Sequence, residues 1–221
     1  MRFFKFKGKF NWKYVLGEIA LIFIGINLAI WFNNYNTAQK TNQAKSLAIQ
    51  KIADEIEQNI EELDSARINN QQIVDAFYEV SELRHPSDPD ILLTTPKAVR
   101  QFQKKYPRFF HVVDTLVINA DTVEYYGGFR VNFEITQLNS IAWQTAQSIN
   151  VLNELNYDCL LNLASLYDLQ KRVIAVTDQT VEKLQENDWE GLLKMMAFQD
   201  QLEVILLDSY REMKESLKEC K

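Results

Sequence analysis

The apolar positions of the chain fall into two regimes. The first is a run of 19 residues from Tyr14 to Phe32, YVLGEIALIFIGINLAIWF, interrupted only by Glu18 and Asn27 among strongly polar side chains. At the helical rise it reaches about 28 Å, the thickness of a hydrocarbon core. Trp12 and Tyr14 flank one end, and Trp31 and Tyr35 the other, as residues of an interfacial belt do. The pattern predicts a transmembrane helix over 14–32. A cleaved signal sequence fits less well, because the run is longer than a usual apolar region and ends in Trp31-Phe32-Asn33-Asn34 instead of a small-x-small site.

The second regime is periodic. Ile49, Ile52, Ile56, Ile60, Leu63, Ile73, Phe77 and Val80 recur mostly three or four apart, which predicts a helix over about 37–84. Its polar centre, Asn69 to Gln72, is where a bend or break is expected. His85-Pro86-Ser87-Asp88-Pro89-Asp90 reads as a loop, and Thr95-Pro96 as the cap and first residue of a short helix to about Tyr106. A small antiparallel β element is predicted over about 109–136. Val112 to Ile118 supply one strand, Gly127-Gly128 a hairpin turn, and the alternation of Val131, Phe133 and Ile135 a second strand. Helices return after Ser140, over about Tyr157–Leu184 and over about Trp189–Leu217, the last two antiparallel across Glu186-Asn187-Asp188. The fold class is therefore mainly α: an N-terminal transmembrane helix, then an extracytoplasmic helical bundle with a small antiparallel β element. Residues 1–13 form a cytoplasmic basic head, 14–32 the membrane helix and 33–221 the extracytoplasmic domain.

Charge sets the orientation in that scheme. Arg2, Lys5, Lys7, Lys9 and Lys13 precede the first acid, Glu18. Basic flanks stay on the cytoplasmic side, so the expected topology is single-pass with the N-terminus inside. From Asn33 onward 19 Lys+Arg stand against 29 Asp+Glu, a balance of −10. A body of that sign excludes nucleic acid as a partner, since phosphate binding needs a basic footprint. Cys159 and Cys220 are the only cysteines. They read as a buried helical thiol plus a terminal one, or as a bridge if the domain lies in an oxidising compartment.

Candidate chemistry is sparse. Glu18, Ile22, Gly25 and Ala29 share one face of the membrane helix, and Gly25 with Ala29 makes a small-xxx-small pair that lets two backbones approach. Glu18 either reaches the headgroups or meets another helix, where a proton-linked role beside a channel or motor subunit is the most specialised reading. Asn27, on the opposite face, is placed to bond a second neighbour. Tyr126, Phe129 and Trp143 are candidates to line an aromatic pocket, although such clusters more often fill a core. His111, Asp114, Asp121 and Glu124 are close in sequence but match no metal-ligand spacing. No phosphate loop, nucleophile motif or catalytic pair stands out, so neither an enzyme nor a cofactor is expected.

Gly17-Glu18-Ile19, Ile24-Gly25-Ile26, Ala29, Asn33-Asn34 and Asn36 together resemble the N-terminal signature of a bacterial family of uncharacterised single-pass membrane proteins, a domain of unknown function. Tyr35 stands where that family usually has Trp. Ala142-Trp143 and the stretch from Leu166-Tyr167 to Gln170 are similar to its C-terminal half. The resemblance implies a bacterial inner membrane with the main domain periplasmic, and it implies no activity. The expected function is that of a membrane-anchored envelope protein, structural or interacting, which self-associates or binds partner membrane proteins. The alternative is a periplasmic ligand-binding or sensory module acting through a partner subunit.

Overall fold

The computed structural model describes residues 12–220; Arg2, Lys5, Lys7 and Lys9 of the basic head lie outside the described residues. The first element, α1, runs unbroken from Trp12 to Ser81, 70 residues or about 105 Å. Its continuity follows from composition: between Ile26 and His85 there is neither Gly nor Pro. The first part is exposed on all sides and is apolar and long enough to cross a membrane. Burial begins at Ile49 and follows the predicted stripe to Val80.

No break occurs at Asn69 to Gln72, where α1 stays helical. The polar centre is turned to tertiary use instead. The Asn70 side chain accepts from the Glu134 backbone N–H and donates to its C=O, both at 2.9 Å. Asn59 makes the same pair with Asn139, both bonds at 2.8 Å. The segment between those partners is extended but joins no sheet, which corrects the strand expected at Val131 to Ile135. Eleven residues of helix and five residues of extended chain both span about 16 Å. The strap therefore lies antiparallel to α1 with two asparagines replacing the ladder a neighbouring strand would supply.

After α1 come β1 (Arg84–His85), β2 (Asp88–Thr94), α2 (Pro96–Lys105), β3 (Phe110–Val117) and β4 (Val123–Phe129), forming an antiparallel sheet of order β1-β2-β4-β3. The predicted loop at His85–Asp90 is only the tip of a hairpin, since His85 pairs with Asp88 and the flanks are strand. Thr95 caps α2 as predicted, its hydroxyl accepting from the Ala98 N–H at 3.1 Å. Gly127-Gly128 is not the turn. Both glycines sit inside β4, opposite Val112 and His111. A Cβ on Gly127 would lie 2.0 Å from the His111 carbonyl oxygen, so close strand approach demands glycine there. The turn is Ile118 to Thr122, closed by the Ile118 N–H bond to the Thr122 C=O at 3.1 Å.

The chain then forms α3 (Ile141–Ser148), a short 3-10 turn at Val151–Glu154, α4 (Tyr157–Gln185) and α5 (Trp189–Ser216). Asn156 and Asp188 cap α4 and α5 through bonds from the Cys159 and Gly191 N–H groups. The two helices pack as the expected antiparallel pair. Two apolar cores result. The one nearer the anchor gathers Ile52, Ile56, Leu63, Trp143, Tyr167, Leu206 and Tyr210. The distal one gathers Phe77, Phe102, Phe109, Phe110 and Leu192 under the sheet.

The cysteines are joined: Cys159 and Cys220 form a disulfide with a Cα–Cα distance of 5.7 Å. This corrects the reading as two free thiols. Sequence spacing hid it because the pair becomes adjacent only when α4 and α5 fold back on each other. The bond staples the open end of that hairpin.

Candidate functional site

The clearest concave feature lies between α1 and α3, on the half of the bundle nearer the anchor. It is a groove of about 580 Å³. Ala44, Leu47 and Ala48 form one wall, Ala142, Ala146 and Ile149 the other, and Lys51, Asp54 and Gln58 carry the polar atoms. Its rims hold large apolar side chains that the fold leaves uncovered: Leu47 is 57% exposed, Ile141 69% and Ile149 60%.

Glu55 lies at the base of this groove and holds its walls together. Its carboxylate accepts from the Ala142 N–H at 2.7 Å, the Trp143 N–H at 3.3 Å and the Tyr167 hydroxyl at 2.7 Å. Ser140 occupies the cap position of α3 without a capping bond. The acid of α1 caps α3 across the interface instead, adding charge to the positive end of the helix. Burial and the Glu55 carboxylate together push the Tyr167 hydroxyl well above its ordinary value, so it stays a donor. Trp143 stacks on Tyr167 with ring centres 5.1 Å apart. Behind them Tyr210 donates to Gln170 at 2.8 Å, and Gln170 donates to the Asn139 C=O at 3.0 Å. The Glu55 carboxylate, the Tyr167 and Tyr210 hydroxyls and the Gln170 amide are each bonded to a neighbour in this seam. Glu55 is a structural carboxylate, and the groove it frames offers surface for binding.

The predicted site residues separate. Glu18, Ile22, Gly25 and Ala29 all project from the exposed stretch of α1, and a Cβ at Gly25 would meet nothing within 4 Å. Asn27 donates to the Phe23 C=O one turn back at 2.7 Å. Tyr126, Phe129 and Trp143 do not converge. Trp143 belongs to the core nearer the anchor, whereas Phe129 packs on the distal core, 5.0 Å from Phe110 and beneath the Arg84 guanidinium at 5.0 Å. Tyr126 donates to Glu124 at 2.6 Å on β4. Among the described residues no group of three His, Cys, Asp or Glu is placed to hold a metal ion. The groove was missed in the sequence because half of it comes from α3, whose position depends on the long-range Glu55 bond.

No family model matches this chain, and no curated protein or solved structure matches it either.

Proposed function

We propose that this chain is a single-pass, membrane-anchored envelope protein that works by association, with the N-terminus cytoplasmic and the bundle outside. The observation that carries this reading is α1 itself. One helix is first apolar and exposed on every side, then becomes the central wall of the bundle without a break. Such a rod holds the bundle at a fixed rotation to the anchor. The disulfide supports an oxidising compartment for the domain. The cations ahead of Tyr14 support retention of the head in the cytoplasm. The similarity of the anchor to the uncharacterised bacterial family adds an inner-membrane location to the proposal. Protease added to intact spheroplasts is expected to digest the bundle and to spare the anchor. Digestion only after the membrane is opened would overturn the reading.

A further inference from the structure

We propose that the α1/α3 groove is the face at which two copies of this chain associate side by side and in parallel. This deepens the anchored, associating reading above and rests on it. The argument begins with helical phase. Taking Glu18 as zero and 100° per residue, the anchor face and the groove residues Leu47, Lys51, Asp54 and Gln58 fall within an arc of roughly 80°. Because α1 is unbroken, that arc is one continuous stripe from the membrane to the groove. An approach of two anchors through Gly25 and Ala29 brings the grooves toward each other.

The stalk between them favours the same partner. Residues 33–43 hold four Asn (Asn33, Asn34, Asn36, Asn42) and two Thr (Thr37, Thr41), all weak helix formers. A single turn of the domain, at Val151–Glu154, flanks this stretch, with Glu154 sharing a hollow with Asn34 and Ala38 on the side away from the arc. The arc side is open, and Asn36 lies on it. An Asn at the seam of two parallel helices fixes their register.

The groove is also self-complementary. Leu47 stands on one rim at the phase of Ala29, so it meets the Leu47 of the second copy across a two-fold axis, with Ile141 and Ile149 of the other rim flanking the contact. Lys51 and Asp54, now paired with each other at 3.2 Å on an exposed surface, present both signs to a copy of themselves. Association covers Leu47, Ile141 and Ile149, three of the apolar side chains that folding leaves exposed.

The test uses the full chain in membrane vesicles. The native cysteines are bonded to each other, so Leu47→Cys adds one reactive thiol. Mild oxidation is expected to give a disulfide-linked dimer for Leu47→Cys and none for Asn42→Cys, which is exposed on the far side of α1. Adding Ile141→Arg, at a position already 69% exposed, is expected to abolish the Leu47→Cys dimer while circular dichroism stays unchanged. Equal crosslinking at Leu47→Cys and Asn42→Cys, or indifference to Ile141→Arg, overturns the groove as the dimer face. A monomer by sedimentation in mild detergent and in crosslinking overturns self-association and leaves the protease result on topology standing. Recovery of a stoichiometric lipid that Ile141→Arg displaces, with no Leu47→Cys dimer, overturns the proposal in favour of an amphiphile site.

Discussion

The two halves of the bundle are held by different chemistry, although the same three long helices run through both. Near the anchor, polar side chains are built into the core. Glu55, Asn59, Gln170, Tyr167 and Tyr210 are buried and bonded to backbone or to one another, and a disulfide closes the end. In the distal half the interior is aromatic. Phe77 meets Phe109 edge-on at 4.8 Å and Trp189 at 5.3 Å, and Phe102 lies 5.1 Å from Tyr106. The difference follows from what each half must position. Apolar burial supplies volume but little direction. The sheet already fixes the distal half through its ladder, so rings suffice to fill it. The strap and α3 have no ladder, and directional bonds from α1 set their register instead.

The largest effect is expected in the aromatic half. Phe77→Ala removes a ring that is 3% exposed and touches three others, at a cost of about 4 kcal/mol. Trp143 and Trp189 report the two halves separately in urea unfolding. Because α1, α4 and α5 contribute to both cores, the two signals are expected to shift together. Transitions that part company would break the molecule into two independently melting halves.

Replacing both cysteines by serine acts at the other end. The bond closes a 61-residue separation, and its loss is expected to lower stability by about 3 kcal/mol. The same shift on adding reductant to the native chain would tie it to the bond itself. Next is Asn59→Ala, which leaves the Asn139 N–H without its partner, while Gln170 still serves the C=O. The expected loss is about 2 kcal/mol. Hydrogen exchange is expected to quicken at Asn139 and α3 before it quickens in β4. Uniform quickening would deny the clamp its local role.

Periodic elements were legible in the sequence and long-range ones were not. The stripe from Ile49 to Val80 and the cap at Thr95 express local rules, and the helices formed where those rules put them. The β element existed as expected but with its parts misread. Gly127-Gly128 marks close approach of two strands, not a reversal, and a glycine pair does not distinguish the two cases. The alternation at Val131 to Ile135 is met by a strap against a helix as well as by a strand, with Val131 and Phe133 turned partly onto the distal core and Ile135 left 54% exposed. Asn69 to Gln72 looked like a weakness because the partner of Asn70 lies 64 residues away. Tyr126, Phe129 and Trp143 were close in sequence, yet the strap runs from Arg130 to Asn139 and carries Trp143 into the other core.

The smallest effect expected has the opposite sign and tests where the polar chemistry stops. Glu203 on α5 is 3% exposed and accepts from Gln199 at 2.7 Å, which in turn accepts from the Thr180 hydroxyl at 2.8 Å. Its nearest cation, Arg67, is 3.9 Å away and is bonded more closely to Asp200 at 2.7 Å. Burial therefore dominates and raises the Glu203 value above its ordinary 4.5, against the lowering by Gln199 and Arg67. The folded chain then holds this proton more tightly than the unfolded chain does. Stability from this group falls as pH rises from the ordinary value through the raised one. Glu203→Gln keeps an acceptor for Gln199 and removes the buried charge. It is expected to raise the melting temperature slightly at neutral pH, with the gain vanishing below pH 4.5. A loss at neutral pH would mean that Arg67 stabilises the carboxylate more than burial penalises it. The directional bonding that organises the half near the anchor would then extend along α5 toward the aromatic one.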